Sequence, residues 1–150
     1  EFSKKISEKV DVEALERHGK NPQIKLFSSN EKQVQYIENL LGEFNQSSYN
    51  SVALIVKTPK EVAALKEILE KKHTLLVLTG EGVALTNGII ITTAHLAKGL
   101  EFDCVIVPNC SASNYKTPID LQMLYVACTR AMHELNITTV KEYSEFLKQY

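Results

Sequence analysis

The chain has 150 residues, 44% of them hydrophobic, and a formal net charge of −1 at pH 7. This length and composition suffice for one buried core, so we treat residues 1–150 as a single domain. The near-neutral charge excludes a general electrostatic attraction to nucleic acid, and any such binding must be local. No apolar run approaches the roughly 18 residues of a membrane span, and residues 1–6 lack the apolar core of a secretory signal. We therefore expect a cytoplasmic protein without membrane contact.

The three cysteines, Cys104, Cys110 and Cys128, form no Cys-x-x-Cys pair. An odd number of cysteines in a chain with a good core does not indicate a disulfide framework, so reduced thiols are expected. A zinc site would need a fourth ligand such as His95 and a fold that gathers all four. We predict no metal site.

The chain begins with residues 1–21, a lysine-rich and weakly patterned lead-in. After it, short β-branched runs alternate with longer amphipathic stretches, which is the pattern of a parallel sheet covered by helices. The predicted strands are 24–27, 52–56, 74–78, 89–93, 104–107 and 135–139. The sequence therefore predicts an α/β fold with a mostly parallel sheet flanked by helices.

Three helices are predicted between these strands. The first follows Asn30, the expected N-cap, and carries apolar residues at helical spacing. The second and third follow Thr58 and Thr117, each succeeded by proline and then by an acidic residue at the capping-box position. A fourth amphipathic stretch, 142–150, closes the chain, whereas the glycine-rich residues 79–88 predict a turn-rich connection.

A polar cluster follows strand 89–93, at the place where open α/β sheets bind their ligands. It consists of Thr93, His95, Lys98, Gly99 and Glu101. Gly99 can adopt a positive φ or admit a ligand closely, and Lys98 offers a point charge suited to phosphate. The carboxylate of Glu101 suits a hydroxyl such as that of ribose, or a cation. The alternative is a glycine-containing turn with a solvated Lys98 and Glu101 and a histidine that caps the core.

A second candidate is Arg130, one of two arginines among seventeen basic residues, at the end of a largely apolar predicted helix. A guanidinium group can clamp a phosphate and stabilise the charge that spreads over it during phosphoryl transfer. The alternative is that Arg130 complements the negative end of its helix dipole, which contributes roughly 0.3 to 1 kcal/mol.

Two segments that contain these candidates resemble motifs V and VI of the UvrD/Rep-like superfamily 1 helicases. They are residues 93–102, Thr-Ala-His-Leu-Ala-Lys-Gly-Leu-Glu-Phe, and residues 125–131, Tyr-Val-Ala-Cys-Thr-Arg-Ala. The resemblance is firm over 89–135 and looser over 24–78. It implies the second RecA-like motor domain, called 2A, of the P-loop NTPase superfamily, which completes a site for ATP and Mg²⁺ on the first RecA-like domain.

The resemblance also implies roles for particular residues. The family arginine that matches Arg130 acts as a finger on the γ-phosphate, and Glu101 matches a contact to the ribose. Lys98 and Gly99 match the loop that couples the nucleotide to DNA. We expect Arg130 to project from the carboxyl end of the sheet, on the same side as these three residues.

Further family positions match less closely. Thr93 and His95 match contacts to single-stranded DNA, so that single-stranded or partly duplex DNA is the implied substrate. Where motif IV usually has Tyr-Arg, this chain has Val56-Lys57. Adenine stacking is thereby lost, and Lys57 is left as a point charge for phosphate. No Gly-x-x-x-x-Gly-Lys-Ser/Thr loop is present, so the chain by itself is expected to be inactive.

Two alternatives to a DNA helicase stay open. Residues 72–88 leave no room for the large 2B insertion of UvrD and Rep, which favours the HelD-like branch of the family. Some members of that branch act on RNA polymerase, which would then be the partner of an ATPase that remodels it. A non-enzymatic α/β binding module is the third reading, and it requires that the parent protein lack a phosphate-binding loop.

Overall fold

The computed structural model describes residues 21–78, 80 and 87–147. Its strands are β1 (Gln23–Phe27), β2 (Ser51–Val56), β3 (Leu75–Val77), β4 (Gly88–Thr93), β5 (Phe102–Val107) and β6 (Ala131–Val140). They form one sheet in the order β1-β6-β5-β2-β4-β3, and every neighbouring pair is parallel. All six predicted strands are confirmed, as is the α/β fold class.

The helices are α1 (Asn30–Asn45), α2 (Pro59–Leu69), α3 (Ala94–Ala97) and α4 (Pro118–Cys128). Both predicted capping boxes are confirmed, at Thr58 for α2 and at Thr117 for α4. The N-cap predicted for α1 is wrong by one residue, because it is the hydroxyl of Ser29 that accepts the N–H of Lys32 at 3.3 Å. The short helix α3 precedes the turn that Gly99 indicated, which lies at residues 98–99.

The sheet is covered by helices on both faces, with its core on either side of the central strand β2. All six residues of β2 are buried, and successive side chains face opposite sides. Helices α1 and α2 pack on one face around Leu54, and α3 and α4 pack on the other around Ile55. The near-continuous apolar run of β2 reflects this two-sided burial, which is typical of a parallel strand.

Because all strands run in one direction, the sheet has a carboxyl end, where every strand stops, and an amino end, where every strand starts. At the amino end, Gly88 opens β4 with a φ of +89° and donates its N–H to the carbonyl of Asn50 at 2.7 Å. A residue with a Cβ would be strained there, since this φ lies in the left-handed region.

Several predicted features fall at the margins of the described residues. The lead-in, apart from Asn21, and most of the 79–88 connection lie outside them. Of the fourth amphipathic stretch, Glu145–Leu147 form a single 3₁₀ turn, and residues 148–150 lie outside the described part. Among the described residues, no helix combines the length and the apolar composition needed to cross a bilayer.

Candidate nucleotide and nucleic-acid site

The segment that carries the first group of candidate residues runs from the carboxyl end of the sheet to its amino end. It starts at Thr93, the last residue of β4, whose hydroxyl caps α3 by accepting the N–H of Leu96 at 3.4 Å. Lys98 ends the helix, and Gly99 follows with a φ of +81°. That conformation lets the chain turn into β5 and explains why glycine stands at this position.

Helix α4 carries the second group. Its buried side chains, Leu124, Ala127 and Cys128, pack against the sheet, and Thr129 caps its carboxyl terminus. Arg130 follows directly and is half-buried. The guanidinium is therefore placed by the end of a helix and the start of β6, two elements that the core holds firmly.

The guanidinium of Arg130 donates hydrogen bonds to Val126, Thr129 and Leu100. Its Nε donates to the carbonyl of Val126 at 3.2 Å, and its Nη2 donates to the hydroxyl of Thr129 at 3.2 Å. Its Nη1 donates to the carbonyl of Leu100 at 3.4 Å, and the Phe102 N–H donates to the Arg130 carbonyl at 2.9 Å. The two family segments therefore meet through Arg130 and the residues that flank Glu101.

The position expected for Arg130 along the sheet is wrong. Arg130 immediately precedes Ala131, the first residue of β6. Ala131 pairs with Phe102, the first residue of β5. Arg130 thus lies at the amino end of the sheet, because a helix that connects two parallel strands runs antiparallel to them and its last residue returns to the starting end. Arg130 nevertheless lies beside the 98–101 segment, because its Nη1 donates to the carbonyl of Leu100.

Lys57 does not lie near Arg130 and the 98–101 segment. It follows β2 at the carboxyl end of the sheet, and its Nζ lies 2.9 Å from Oδ1 of Asp120. Burial raises the pKa of Asp120, but hydrogen bonds from Lys57 and from the backbone N–H groups of Lys116 and Thr117 outweigh that effect. The pKa of Asp120 therefore lies well below its ordinary value. Against the expectation of a nucleotide contact, the ammonium of Lys57 is bound to a carboxylate within the domain.

A cleft of about 350 Å³ lies between α3 and α4. His95 and Lys98 line one side of it, and α4 contributes Ile119 and Tyr125 from the other. Ile119 is 67% exposed, the largest fraction among the large apolar side chains of the described residues. The sequence analysis named His95 and Lys98 but missed the apolar wall. The apolar wall could have been predicted, because α4 is apolar on nearly all sides, whereas a helix that only covers a sheet needs one apolar side.

The candidate residues thus divide between the two ends of the sheet. Thr93 ends β4 at the carboxyl end, and His95 is exposed on α3 just after it. Glu101 is exposed beside Phe102 at the amino end, near Arg130. Within the described residues, no group of three or more His, Cys, Asp or Glu side chains is arranged to hold a metal ion.

Both motif segments fall within a stretch that matches a known protein family. Residues 88–138 match the model of the UvrD-like helicase C-terminal domain. A solved structure of the C-terminal domain of a possible DNA helicase from Lactobacillus plantarum WCFS1 is 33% identical, with a TM-score of 0.80. The similarity covers 97% of this chain and 86% of that domain.

Two curated relatives are similar over part of their length. A probable DNA helicase II homologue from Rickettsia felis is 27% identical over 133 residues, which covers 77% of this chain and 20% of the relative. The mitochondrial ATP-dependent DNA helicase HMI1 of Saccharomyces cerevisiae is 36% identical over 74 residues, which covers 49% of this chain and 10% of the relative. The chain therefore spans at most about a fifth of these two relatives.

Three observations indicate the same family: the sequence motifs, the parallel-sheet topology and the near-complete overlap with the Lactobacillus domain. The chain belongs to the family of UvrD-like helicase C-terminal domains.

Proposed function

We propose that this chain is the second motor domain of an ATP-dependent DNA helicase or translocase, and that it completes an ATP and Mg²⁺ site on the first RecA-like domain. The observation that carries the proposal is the contact between Arg130 and the 98–101 segment, in which Nη1 lies 3.4 Å from the carbonyl oxygen of Leu100. This contact joins the last residues of motif V to the last residues of motif VI at the amino end of the sheet, where a single nucleotide can touch both.

In this proposal Arg130 stabilises the charge that develops on the γ-phosphate. Its hydrogen bonds to Val126 and Thr129 hold the guanidinium in place before the nucleotide arrives, and such preorganisation favours stabilisation of a transition state. Glu101, exposed at the same end of the sheet, accepts hydrogen bonds from the ribose hydroxyls. Lys98 and Gly99 shape the loop that links the nucleotide to the nucleic acid.

The first RecA-like domain is the proposed partner of the surface formed by α3 and α4. Its cleft joins an apolar wall, including the 67% exposed Ile119, to the polar side chains of His95 and Lys98. An apolar patch with a polar margin is typical of a surface that another protein or domain covers. Burial of Ile119 in the whole protein would remove the cost of exposing it to water.

Single-stranded or partly duplex DNA is the proposed substrate of the carboxyl end of the sheet, where Thr93 and His95 lie. His95 is exposed and can donate to phosphate or stack on a base, whereas the Thr93 hydroxyl already caps α3. The names of the Rickettsia and yeast relatives favour DNA over RNA. The chain's charge of −1 supports binding through such local contacts and not through a broad basic surface.

A HelD-like ATPase that remodels RNA polymerase is the second candidate, and one observation favours it. Strand β3 ends at Val77 and β4 begins at Gly88, so that the connection between them is too short for the 2B insertion of UvrD and Rep. ATPase assays on the full-length protein with single-stranded DNA or with RNA polymerase separate the two candidates. Stimulation by polymerase alone would favour the remodelling factor.

The proposed function is tested by ATP turnover of the full-length protein with Arg130→Ala and Arg130→Lys. We expect Arg130→Ala to lower kcat by about 10³-fold with little change in ATP binding, and the lysine variant to recover little because it lacks the planar fork. Lys71→Ala, at an exposed site beyond α2, is the matched control and should turn over normally. A stably folded Arg130→Ala protein with wild-type kcat would leave Arg130 with the helix-dipole role, worth at most about 1 kcal/mol of stability.

A further inference from the structure

Lys57 connects the amino termini of two helices that lie on opposite faces of the sheet. It directly precedes Thr58, the N-cap of α2, and its Nζ reaches Oδ1 of Asp120 at 2.9 Å. Asp120 is the third residue of α4 and forms the capping box of that helix with Thr117. The ion pair therefore joins the start of one helix to the start of the other.

Asp120 and Glu61 each use one carboxylate oxygen to cap a helix and the other to contact a neighbouring element. Oδ2 of Asp120 accepts the N–H groups of Lys116 and Thr117, both at 3.0 Å, while Oδ1 faces Lys57. Oε2 of Glu61 accepts the N–H groups of Lys57 and Thr58 at 3.1 and 3.0 Å.

Asn114, three residues before Thr117, adds contacts to Lys57 and to the capping box of α2. Its Nδ2 donates to Oε1 of Glu61 at 3.1 Å, and its carbonyl accepts the ammonium of Lys57. That ammonium also lies 5.7 Å from the centre of the Tyr115 ring, within the range of a cation–π interaction. Lys57 therefore contacts the first turn of α4 through Asp120, and the residues just before that helix through Asn114 and Tyr115.

The Lys57–Asp120 pair is shielded from solvent, because the two side chains are 21% and 9% exposed. A pair in this environment is little screened by salt, and removal of one partner leaves the other charge uncompensated. The side chain of Lys57 is therefore committed to a neighbour in this domain, at the opposite end of the sheet from Arg130.

We propose that Lys57 is a positioning residue for Arg130, acting through Asp120 and helix α4. The inference rests on the proposed function of Arg130. Helix α4 is short and stiff, about 16 Å from end to end, and two hydrogen bonds of the guanidinium go to Val126 and Thr129, at its carboxyl terminus. A displacement of the first turn of α4 is therefore transmitted to Arg130, while the nucleotide itself never touches Lys57.

The rival explanation is that Lys57 contacts a nucleotide phosphate or the nucleic acid directly. The two explanations differ in what they require of Asp120. A positioning role needs the carboxylate as much as the ammonium, whereas a direct contact needs the ammonium alone. Asp120→Asn keeps an oxygen that can accept a backbone N–H of the cap but removes the charge that holds Lys57, so it separates the two explanations.

The experiment measures kcat and the KM for ATP of the full-length protein at saturating single-stranded DNA. The variants are Lys57→Met, which keeps the aliphatic stem, Lys57→Arg, which keeps the charge, and Asp120→Asn. Lys60→Met is the matched control, because it removes the same charge from an exposed site in the first turn of α2. Each substitution at 57 and 120 is repeated in the Arg130→Ala background, and thermal unfolding confirms that every variant is folded.

We expect Lys57→Met and Asp120→Asn to lower kcat alike, by about 10- to 100-fold, with KM for ATP nearly unchanged. Lys57→Arg should retain most of the kcat, and Lys60→Met all of it. Neither the substitution at 57 nor that at 120 should lower kcat further when Arg130 is already alanine. The effects of substitutions at residues that act through one another do not add.

A loss of activity in Lys57→Met with normal turnover in Asp120→Asn would overturn the positioning role in favour of direct contact. Normal turnover in both Lys57→Met and Asp120→Asn, together with a large loss in Arg130→Ala, would overturn the positioning role but leave the proposed function intact. If Arg130→Ala itself had wild-type kcat, the proposed function of Arg130 would be wrong, and the positioning role of Lys57, which rests on it, would be wrong as well. If Lys57→Met does not fold, the comparison of Asp120→Asn with Lys57→Arg decides by the same criteria.

Discussion

Gln33 and Asn109 hydrogen-bond to each other in both directions across the carboxyl end of the sheet. Nε2 of Gln33 donates to Oδ1 of Asn109 at 2.9 Å, and the N–H of Asn109 donates to Oε1 of Gln33 at 3.1 Å. The same Oε1 accepts the hydroxyl of Thr138 at 2.7 Å. A single buried glutamine of α1 therefore ties the ends of β5 and β6 together, and it helps to hold Asn109 at its left-handed φ of 60°.

Gln33→Leu should lower the free energy of unfolding by about 2 to 4 kcal/mol, since it removes the acceptor of the buried Thr138 hydroxyl and of the partly buried Asn109 N–H. Urea denaturation of the chain measures the change. Gln35→Leu, at an exposed position of the same helix, is the control and should shift the midpoint little. Equal stability of the two variants would contradict a stabilising role for the buried glutamine.

Thr58→Ala should destabilise the chain by about 1 kcal/mol, because the Thr58 hydroxyl accepts the N–H of Glu61 at 3.2 Å as the N-cap of α2. Thr58→Ser keeps the oxygen and should restore most of the loss. Chemical denaturation of both variants checks this expectation, and a serine variant as unstable as the alanine variant would mean that packing of the methyl group matters more than the cap.

The stability that Asp120 contributes should depend on pH. Its pKa is lower in the folded chain than the usual value of about 3.9, so the charged form is the one that folding favours. The contribution is therefore complete at pH above about 4 and is lost as the pH falls below that value. The difference in unfolding free energy between the wild type and Asp120→Asn should shrink between pH 7 and pH 3.

The matched control for this pH dependence is Glu67→Gln, which removes an exposed carboxylate from α2. Its difference from the wild type should stay small at both pH values. An Asp120→Asn variant as stable as the wild type at pH 7 would contradict a stabilising ion pair.

The three thiols should react slowly in the folded chain. All three are buried and form no disulfide with one another, and burial raises the pKa of Cys110 and of Cys128 well above the usual value for a thiol. Because the thiolate is the reactive form, iodoacetamide at pH 8 should label the native chain much more slowly than the denatured chain. Mass spectrometry after denaturation should count three labels, with Cys104, which is 8% exposed, labelled first in the native state.

The isolated chain should not hydrolyse ATP, because phosphate binding, Mg²⁺ coordination and water activation belong to the first RecA-like domain in the proposed function. A phosphate-release assay with and without single-stranded DNA measures this. Turnover that depends on magnesium, survives stringent purification and is lost in Arg130→Ala would mean that the chain contains a complete phosphate site of its own.

The sequence by itself determined the local structure. Strand positions follow from β-branched runs that are buried on both faces, and the starts of α2 and α4 follow from capping boxes whose residues lie within three positions of one another. The motif segments could be located for the same reason, since each is a continuous stretch. The N-cap of α1 was missed by one residue because Ser29 and Asn30 are both good caps and side-chain geometry chooses between them.

Only the tertiary structure decided which of the candidate residues meet. Arg130 and Leu100 are 30 positions apart, and their contact at the amino end depends on α4 running antiparallel to the strands that it connects. Lys57 bears the charge that phosphate binding requires, yet it pairs with Asp120, because the carboxyl end of β2 and the amino terminus of α4 lie together in the folded chain. Local sequence patterns record propensities and types of charge, whereas the pairing of distant side chains is set by strand order and helix direction.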